Sequence, residues 1–392
     1  MRKEYDAVVA GYTCVDLIPD LKKHQHSNNI SDFFKPGKII EIGGMDFVLG
    51  GVVPNTGIAM KKFGSKVFLN GLIGNDFIGK TAESQLARYG ATEGMVVSKE
   101  GKTAFSIVIA PPGVDRIFLE SPGCNQDFDI THINFEMVSK ARLFHFGYPP
   151  LMRQFFLDNG RKLIKMYSKI QKMGVVTSLD FSLPDPESES GKVNWQEILD
   201  NTLPFVDIFV PSLEELMRVM MPQKFLEIQA ACENSDFEDE VPFQLVRELG
   251  KQMITLGVSI LLIKMGKRGV YLCTGDISQV NKKLGNTLQN KHWTNQEILC
   301  NSYTAEHSKI KNASGAGDIA IAAFLTSILN ADNPGTAIKY AAIAGRDSLY
   351  CQNIFKGMTS WEELTHKISS ESNELIFLNS ETFTIKNVGN GN

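Results

Sequence analysis

Short apolar runs closed by glycine alternate along this chain with stretches that are apolar on one side only. Ala7-Val8-Val9-Ala10, closed by Gly11, predicts a buried first strand. From Pro54 to Phe63 the spacing predicts a helix. Asn55 or Thr56 can cap it, Ile58, Ala59 and Phe63 share an apolar face, and Gly64 stops it. Val67–Ile73 reads as the next strand and Thr81–Tyr89 as a helix ended by Gly90. Helix, strand and helix at this spacing predict parallel α/β layers.

Lys102–Glu120 breaks the rhythm. Phe105–Ile109 and Arg116–Leu119, separated by Pro111-Pro112-Gly113, predict a β-hairpin, and such an excursion usually covers a site or a subunit interface. Residues 20–40 are polar and mixed, a loop or peripheral hairpin. Alternation then resumes. Strands are expected near Leu143–Phe146, Val175–Phe181, Asp207–Val210, Val258–Lys264 and Val270–Cys273. Helices are expected before Met173, near Trp195 and over Leu213–Met221. Within an insertion over about 222–243, residues 227–240 carry six acids and predict a solvated surface segment. Residues 275–311 look irregular, and long helical patterns at 317–330 and 335–350 follow.

Composition narrows the function classes. The chain has 392 residues, 43% hydrophobic and 21% charged, enough for a large core and too apolar for global disorder. Its 40 Lys+Arg against 44 Asp+Glu give a net charge of −4, with no basic surplus for nucleic acid. Six cysteines without a C-x-x-C pair suit a reducing cytoplasm, and the N-terminus does not read as a signal peptide. Ile254–Ile263 and Ile319–Leu329 fall short of the roughly 18 apolar residues that span a bilayer, so no membrane partner is expected.

Candidate chemistry gathers in three places. In Asn312-Ala313-Ser314-Gly315-Ala316-Gly317-Asp318, small residues run straight into an apolar helix. The first-turn amides can therefore meet an anion unobstructed. Asp318 suits a base that takes a proton from a hydroxyl while the amides stabilise a transferring phosphoryl group; a helix-start charge after a glycine turn is the alternative. The second place, Gly50-Gly51-Val52-Val53-Pro54-Asn55, offers close backbone approach and, in Asn55, a donor and acceptor for vicinal hydroxyls; it also reads as a capped turn. Asp16, just after the first strand, lies where open α/β sheets collect ligands, and it reads equally as a solvated loop residue. His145 reads as a satisfied strand residue, Met217, Met220 and Met221 as helix packing, and Cys14 as a buried small residue.

In this order the pieces resemble the ribokinase-like, or PfkB, carbohydrate kinases, from Gly11 to about Leu364. The supporting segments include Gly64 and Gly74, Asp115-Arg116-Ile117-Phe118, Gly123-Cys124-Asn125, and Asp180-Phe181-Ser182 with Trp195. Val210-Pro211-Ser212-Leu213-Glu214-Glu215, Lys264-Met265-Gly266-Lys267-Arg268-Gly269 and the closing Gly-Ala-Gly-Asp complete the set.

The resemblance implies one α/β kinase domain over 1–392, a three-layer core with a mostly parallel sheet, and a small β lid from about 12–45 and 102–122. It implies ATP-dependent phosphorylation of a hydroxymethyl group. Asp318 would match the base, and the amides of Gly315, Ala316 and Gly317 the anion hole. Asp16, Gly51 and Asn55 would match sugar contacts, with Asn125 from the lid. Glu215 would match the acid acting through Mg²⁺ and its water shell. Ser212, Lys264 and Gly266 would lie by the nucleotide, with residues 300–311 near the adenine.

Some residues depart from the family pattern. Asn312 stands where the family usually has an Asp that helps hold a monovalent cation, so the resemblance does not carry that cation over. Ser212 replaces the usual Asn and Lys264 the usual Thr. A sugar kinase is the reading, with a homodimer formed through the lid. A nucleoside kinase and a sugar-binding regulator that has lost turnover are the alternatives. A dinucleotide oxidoreductase is not supported, because Gly11–Asp16 lacks G-x-G-x-x-G.

Overall fold

The computed structural model describes residues 3–21, 29–112, 117–232, 235–351, 353 and 355–378. In chain order its strands begin with β1 (Tyr5–Gly11), β2 (Cys14–Pro19), β3 (Met45–Gly50), β4 (Val67–Gly74), β5 (Met95–Ser98), β6 (Phe105–Ile109) and β7 (Ile117–Ser121). They continue with β8 (Ala141–Gly147), β9 (Val176–Leu179), β10 (Ile208–Phe209), β11 (Ile260–Lys264), β12 (Val270–Thr274), β13 (Glu297–Cys300) and β14 (Leu375–Phe377).

The main sheet has ten strands in the order β14-β13-β12-β11-β10-β9-β8-β1-β4-β5. From β11 to β5 every neighbouring pair is parallel; β12, β13 and β14 add antiparallel partners at the other end. β1 lies third from the β5 edge, paired on both sides, with Val9 opposite Leu69 on one side and His145 on the other. Ala7–Ala10 are fully buried, as expected of a parallel strand covered on both faces. Helices Val52–Lys62, Ala316–Leu329 and Pro334–Ser348 pack together as one layer. Leu157–Lys172, Trp195–Thr202, Leu213–Met220 and Phe243–Thr255 form another, giving the α/β layering read from the sequence.

The second sheet is the lid, in the order β3-β2-β6-β7. The Phe105–Ile109 hairpin strand forms as predicted, but part of its turn and the residues Asp115 and Arg116 lie outside the described residues. β3 runs to Gly50, past the expected lid boundary at 45, and it pairs along all of β2. Asp16 stands opposite Val48 and Ser106, and Ser106 opposite Glu120, so these four share one rung across the lid.

Two polar regions are more ordered than their composition suggests. The acidic insertion is helical over Pro222–Ala231 and Phe237–Glu240, and buried Phe225 packs on Phe237 at 4.9 Å between ring centroids. Arg268 fastens it by donating to the Val241 carbonyl at 2.6 Å, and Lys267 pairs with Asp236. It is therefore a surface segment, as expected, with most of its described residues exposed, but one docked on the turn after β11. Within 275–311, Glu297–Cys300 is a core strand. Glu297 is 5% exposed yet satisfied by Arg247 at 2.5 and 2.7 Å and by the Tyr271 hydroxyl at 2.7 Å.

Candidate active site

The parallel strands β1, β8, β9, β10 and β11 all end on the same edge of the sheet, the usual place for ligands in open α/β folds. Tyr148 follows β8, Asp180 follows β9, Ser212 follows β10, and Lys264 is the last residue of β11. The Ala316–Leu329 helix points its N-terminus at the same place. It starts there because Gly315, at φ +75°, takes the left-handed conformation that glycine adopts without a steric penalty. Twelve of its residues, Asp318–Leu329, are buried, so the helix is fixed rigidly in the core.

Asp318, 3% exposed, is the focus of the site. Its Oδ2 accepts from Asn55 Nδ2 at 2.9 Å. The Tyr148 hydroxyl lies 2.8 Å from Oδ1 and 2.9 Å from Oδ2, and Thr56 Oγ1 lies 3.3 Å from Oδ1. Burial pushes the carboxyl above its ordinary range, while bonds from Asn55 and Tyr148 and the charge of Lys264 pull it back. Asn55 leaves its own Oδ1 without a protein partner.

Beside this group is a buried cluster with one cation. Lys264 Nζ bonds Asp180 Oδ1 at 2.9 Å, with the two side chains 14% and 1% exposed. Burial lowers the Lys264 pKa, but Asp180, Glu215 and Asp318 more than offset it, so the net shift is upward and the ammonium stays charged. Burial raises Asp180 and Glu215, and Lys264 opposes both shifts. A Cβ added to Gly317 would lie 3.6 Å from Lys264 Nζ, so the ammonium lies against the helix N-terminus. Ser212 and Glu215 form a capping box. Glu215 Oε2 accepts from the Ser212 amide at 2.7 Å, which leaves its other carboxylate oxygen uncommitted there.

On the lid side, Tyr12 donates to Glu120 Oε1 at 2.6 Å, and its ring lies 6.4 Å from that of Tyr148. Burial pushes Asp16 up to about 6; a contact from the Cys14 thiol lowers it somewhat, and Glu120 and Asp318 raise it. The geometry thus combines a buried carboxylate, a helix terminus with a lysine at its mouth, and a lid carrying carboxylates. It can accept a proton from an alcohol while stabilising a phosphoryl group.

The family model for pfkB carbohydrate kinases matches residues 5–350. The chain belongs to this family. It is a carbohydrate kinase of the PfkB type, a phosphotransferase with an alcohol group as acceptor. An uncharacterized sugar kinase from Archaeoglobus fulgidus is 21% identical over 219 residues, which are 56% of this chain and 74% of that protein. Among solved structures, an Arabidopsis thaliana ribokinase complexed with ribose and ATP superposes with a TM-score of 0.68 at 17% identity, covering 94% of this chain and 99% of that one. A Xylella fastidiosa fructokinase with bound ATP gives a TM-score of 0.67 at 17% identity, covering 93% and 98%. At those identities the likeness to solved structures is one of fold.

Against this background, the residues singled out from the PfkB sequence pattern divide into groups. Asp318, Asn55 and Lys264 come together, and Asp16 faces them from the lid. Gly51 is held by sterics: φ is +86° and a Cβ would meet the Tyr12 carbonyl oxygen at 2.5 Å. Ala316 turns its amide back to the Ala313 carbonyl at 3.3 Å. Among the described residues Gly315 and Gly317 have no such main-chain bond. Ser212 uses its side chain as a helix cap, and Gly266 lies in the turn under the acidic insertion, 3.8 Å from Glu238 if given a Cβ.

Asn125 is a correction. It is fully buried and its carboxamide pairs with the Thr13 main chain in both directions, at 2.8 and 3.4 Å. Its polar groups brace the turn that leads into β2, where the expectation was a sugar contact. His145, expected as a satisfied strand residue, is only half satisfied: Nδ1 lies 2.9 Å from Ser178 Oγ while Nε2 is buried without a hydrogen-bond partner, and burial and Lys264 push its pKa down to about 3.

Tyr148, Thr56, Glu120 and the pairing role of Asp180 escaped the sequence reading. Only Asp180 carried a signal, through its place in Asp180-Phe181-Ser182.

Proposed function

We propose that this kinase transfers the γ-phosphoryl group of ATP to a hydroxyl of a sugar or sugar derivative. Hydrogen bonds from Asn55 and Tyr148 to one buried carboxylate, Asp318, with the charge of Lys264 acting on it, carry this reading. Asp318 takes the hydroxyl proton as the alcohol oxygen attacks the γ-phosphorus. The amides of Gly315 and Gly317 and the ammonium of Lys264 stabilise the negative charge on the phosphoryl oxygens. Asp16 and Asn55 bind and orient the sugar hydroxyls, and the lid excludes water that would otherwise be the acceptor.

Glu215 and Asp180 beside one lysine leave an excess of negative charge suited to Mg²⁺. Among the described residues no group of three or more ligands forms a direct protein cage. Glu215 and Asp180 are the residues that would hold such an ion, through its water shell. When bound, it supplies charge neutralisation between the phosphates.

The test is ADP release from Mg-ATP across pentoses, hexoses, sugar acids, sugar phosphates and nucleosides, with and without K⁺. Turnover with a sugar supports the reading, and turnover with nucleosides alone moves the acceptor to that class. Inertness combined with a sugar-induced rise in melting temperature replaces it with a binding regulator.

Because Asp16 is held at about 6, the affinity for that sugar should weaken by up to about tenfold between pH 7 and pH 5, as a hydrogen-bond acceptor becomes protonated. Calorimetric titration of wild type and Asp16→Asn decides this, since the variant should lose the pH dependence along with affinity. An unchanged slope in Asp16→Asn places the titrating group elsewhere.

The lid also supports a homodimer. Its edge strand β7 exposes Phe118 and Leu119 at 50% and 51%, and Phe77 beside β3 is 72% exposed. An open strand edge with an apolar surface is stabilised by a second copy. Light scattering should give a dimer for wild type and a monomer for Phe118→Glu; a wild-type monomer removes the proposal. All six thiols are free, which fits the proposed cytoplasmic setting. No helix among the described residues is long and apolar enough to cross a membrane.

A further inference from the structure

We propose that Tyr148 is the positioning residue of the base: its hydroxyl orients the Asp318 carboxylate and keeps it ionised. This rests on the reading of Asp318 as general base.

The backbone makes the first argument. β8 ends at Gly147, and Tyr148 then adopts φ +65°, ψ +44°, the left-handed region that a residue with a Cβ rarely enters. Pro149 follows, and proline biases the residue before it toward extended backbone. The conformation therefore runs against two local preferences, and strain of this kind persists where surrounding contacts impose it. The contacts here are the two oxygens of Asp318, 170 residues away in sequence, at 2.8 and 2.9 Å.

Lone-pair geometry makes the second. A carboxylate offers about four acceptor positions. Asn55 Nδ2 takes one on Oδ2, Thr56 Oγ1 approaches one on Oδ1, and the Tyr148 hydroxyl covers the side where the two oxygens are equally near. The Tyr148 hydroxyl thus bridges both oxygens and fixes the plane of the carboxylate. Burial and the nearby Asp318 charge keep the phenol protonated, so it acts as a donor.

The charged and titratable groups facing Asp318 from other elements are Lys264, which stabilises its negative form, and Asp16, Asp180 and Glu215, which oppose it; the Cys14 thiol is held neutral by burial. Lys264 alone faces three further carboxylates, so a directed hydrogen bond is the added means of keeping the base ionised.

The experiment compares wild type and Tyr148→Phe as full-length proteins, using kcat/KM against pH with an acceptor that wild type phosphorylates. Losing a donor to the ionised form raises the carboxyl pKa, so the acidic limb should move up by about one pH unit. Well above the limb, kcat should fall by only about threefold. A uniform loss of activity with the limb unmoved overturns the proposal.

A second readout needs no turnover: the ¹³C carboxyl titration of Asp318, identified by its absence in Asp318→Asn. Its midpoint should rise in Tyr148→Phe, and an unmoved midpoint also overturns the proposal. If wild type phosphorylates no acceptor, the base reading fails while this titration still decides the role of Tyr148. Should Tyr148→Phe not fold, 3-fluorotyrosine at 148, a stronger donor of nearly the same shape, should move the midpoint down; no shift overturns the proposal.

Discussion

Replacing Asp318 by Asn should lower kcat by about 10³-fold, within the range that a positioned general base contributes. The carboxamide is close in shape to the carboxylate, so the burial of the helix start is preserved. Its Oδ1 can still accept from Asn55 or Tyr148, although its amide nitrogen must face one donor that formerly met an oxygen. Sugar and nucleotide affinities should change far less than kcat, because the binding groups Asp16, Asn55 and Lys264 remain. The measurement is ADP release alongside calorimetric binding of each ligand to the variant. A variant that retains a tenth or more of wild-type kcat assigns the proton to another acceptor.

Lys264→Met should affect both stability and activity. Methionine fills much of the same volume but leaves Asp180, which is 1% exposed, without the cation that pairs with it among the described residues. Removing one partner of a buried ion pair costs about 3–5 kcal/mol, mostly as the penalty on the charge left behind.

The sign of the pH dependence follows from the direction of the Asp180 shift. Burial already holds this carboxyl above its unfolded value, and loss of Lys264 raises it further. A group whose folded pKa is raised stabilises the fold fully below its unfolded pKa and loses that contribution as pH rises through the folded value. The deficit of the variant against wild type should therefore be largest above neutrality and shrink toward about pH 4, where unfolded aspartate titrates. Urea unfolding from pH 4 to 8 measures this. A constant deficit shows that Asp180 is not the group left unpaired. At neutral pH kcat should also fall, by about 10²-fold, since the charge facing the transferring group is lost.

What the sequence revealed followed physical rules of different range. Ala7–Ala10 and Val67–Ile73 were legible because a strand buried on both faces must be continuously apolar. The Asp318 helix was legible because three small residues before twelve buried ones have few uses other than exposing amides. Glu297–Cys300 was hidden because its buried acid is compensated by Arg247, fifty residues earlier, and no local window holds both. Tyr148 was hidden for a similar reason, since its importance lies in a contact with Asp318 that only the fold creates. Asn125 misled because a short polar side chain near a lid suits a ligand and a backbone strut equally well. The acidic insertion was legible as a surface segment from its charges, but not its anchoring, because Phe225 and Phe237 meet only in the fold.

The pairing of β1 with the much later β8 has a consequence for synthesis. Its partner β8 begins at residue 141, so about 130 residues must follow Gly11 before that partner is available. At roughly 5–20 residues per second, β1 waits about 7–26 s on the ribosome with one flank open. During that interval Ala7–Ala10 is an apolar strand able to pair with a neighbouring nascent chain. The first strand is thus a segment that a chaperone would shield while the protein is being made.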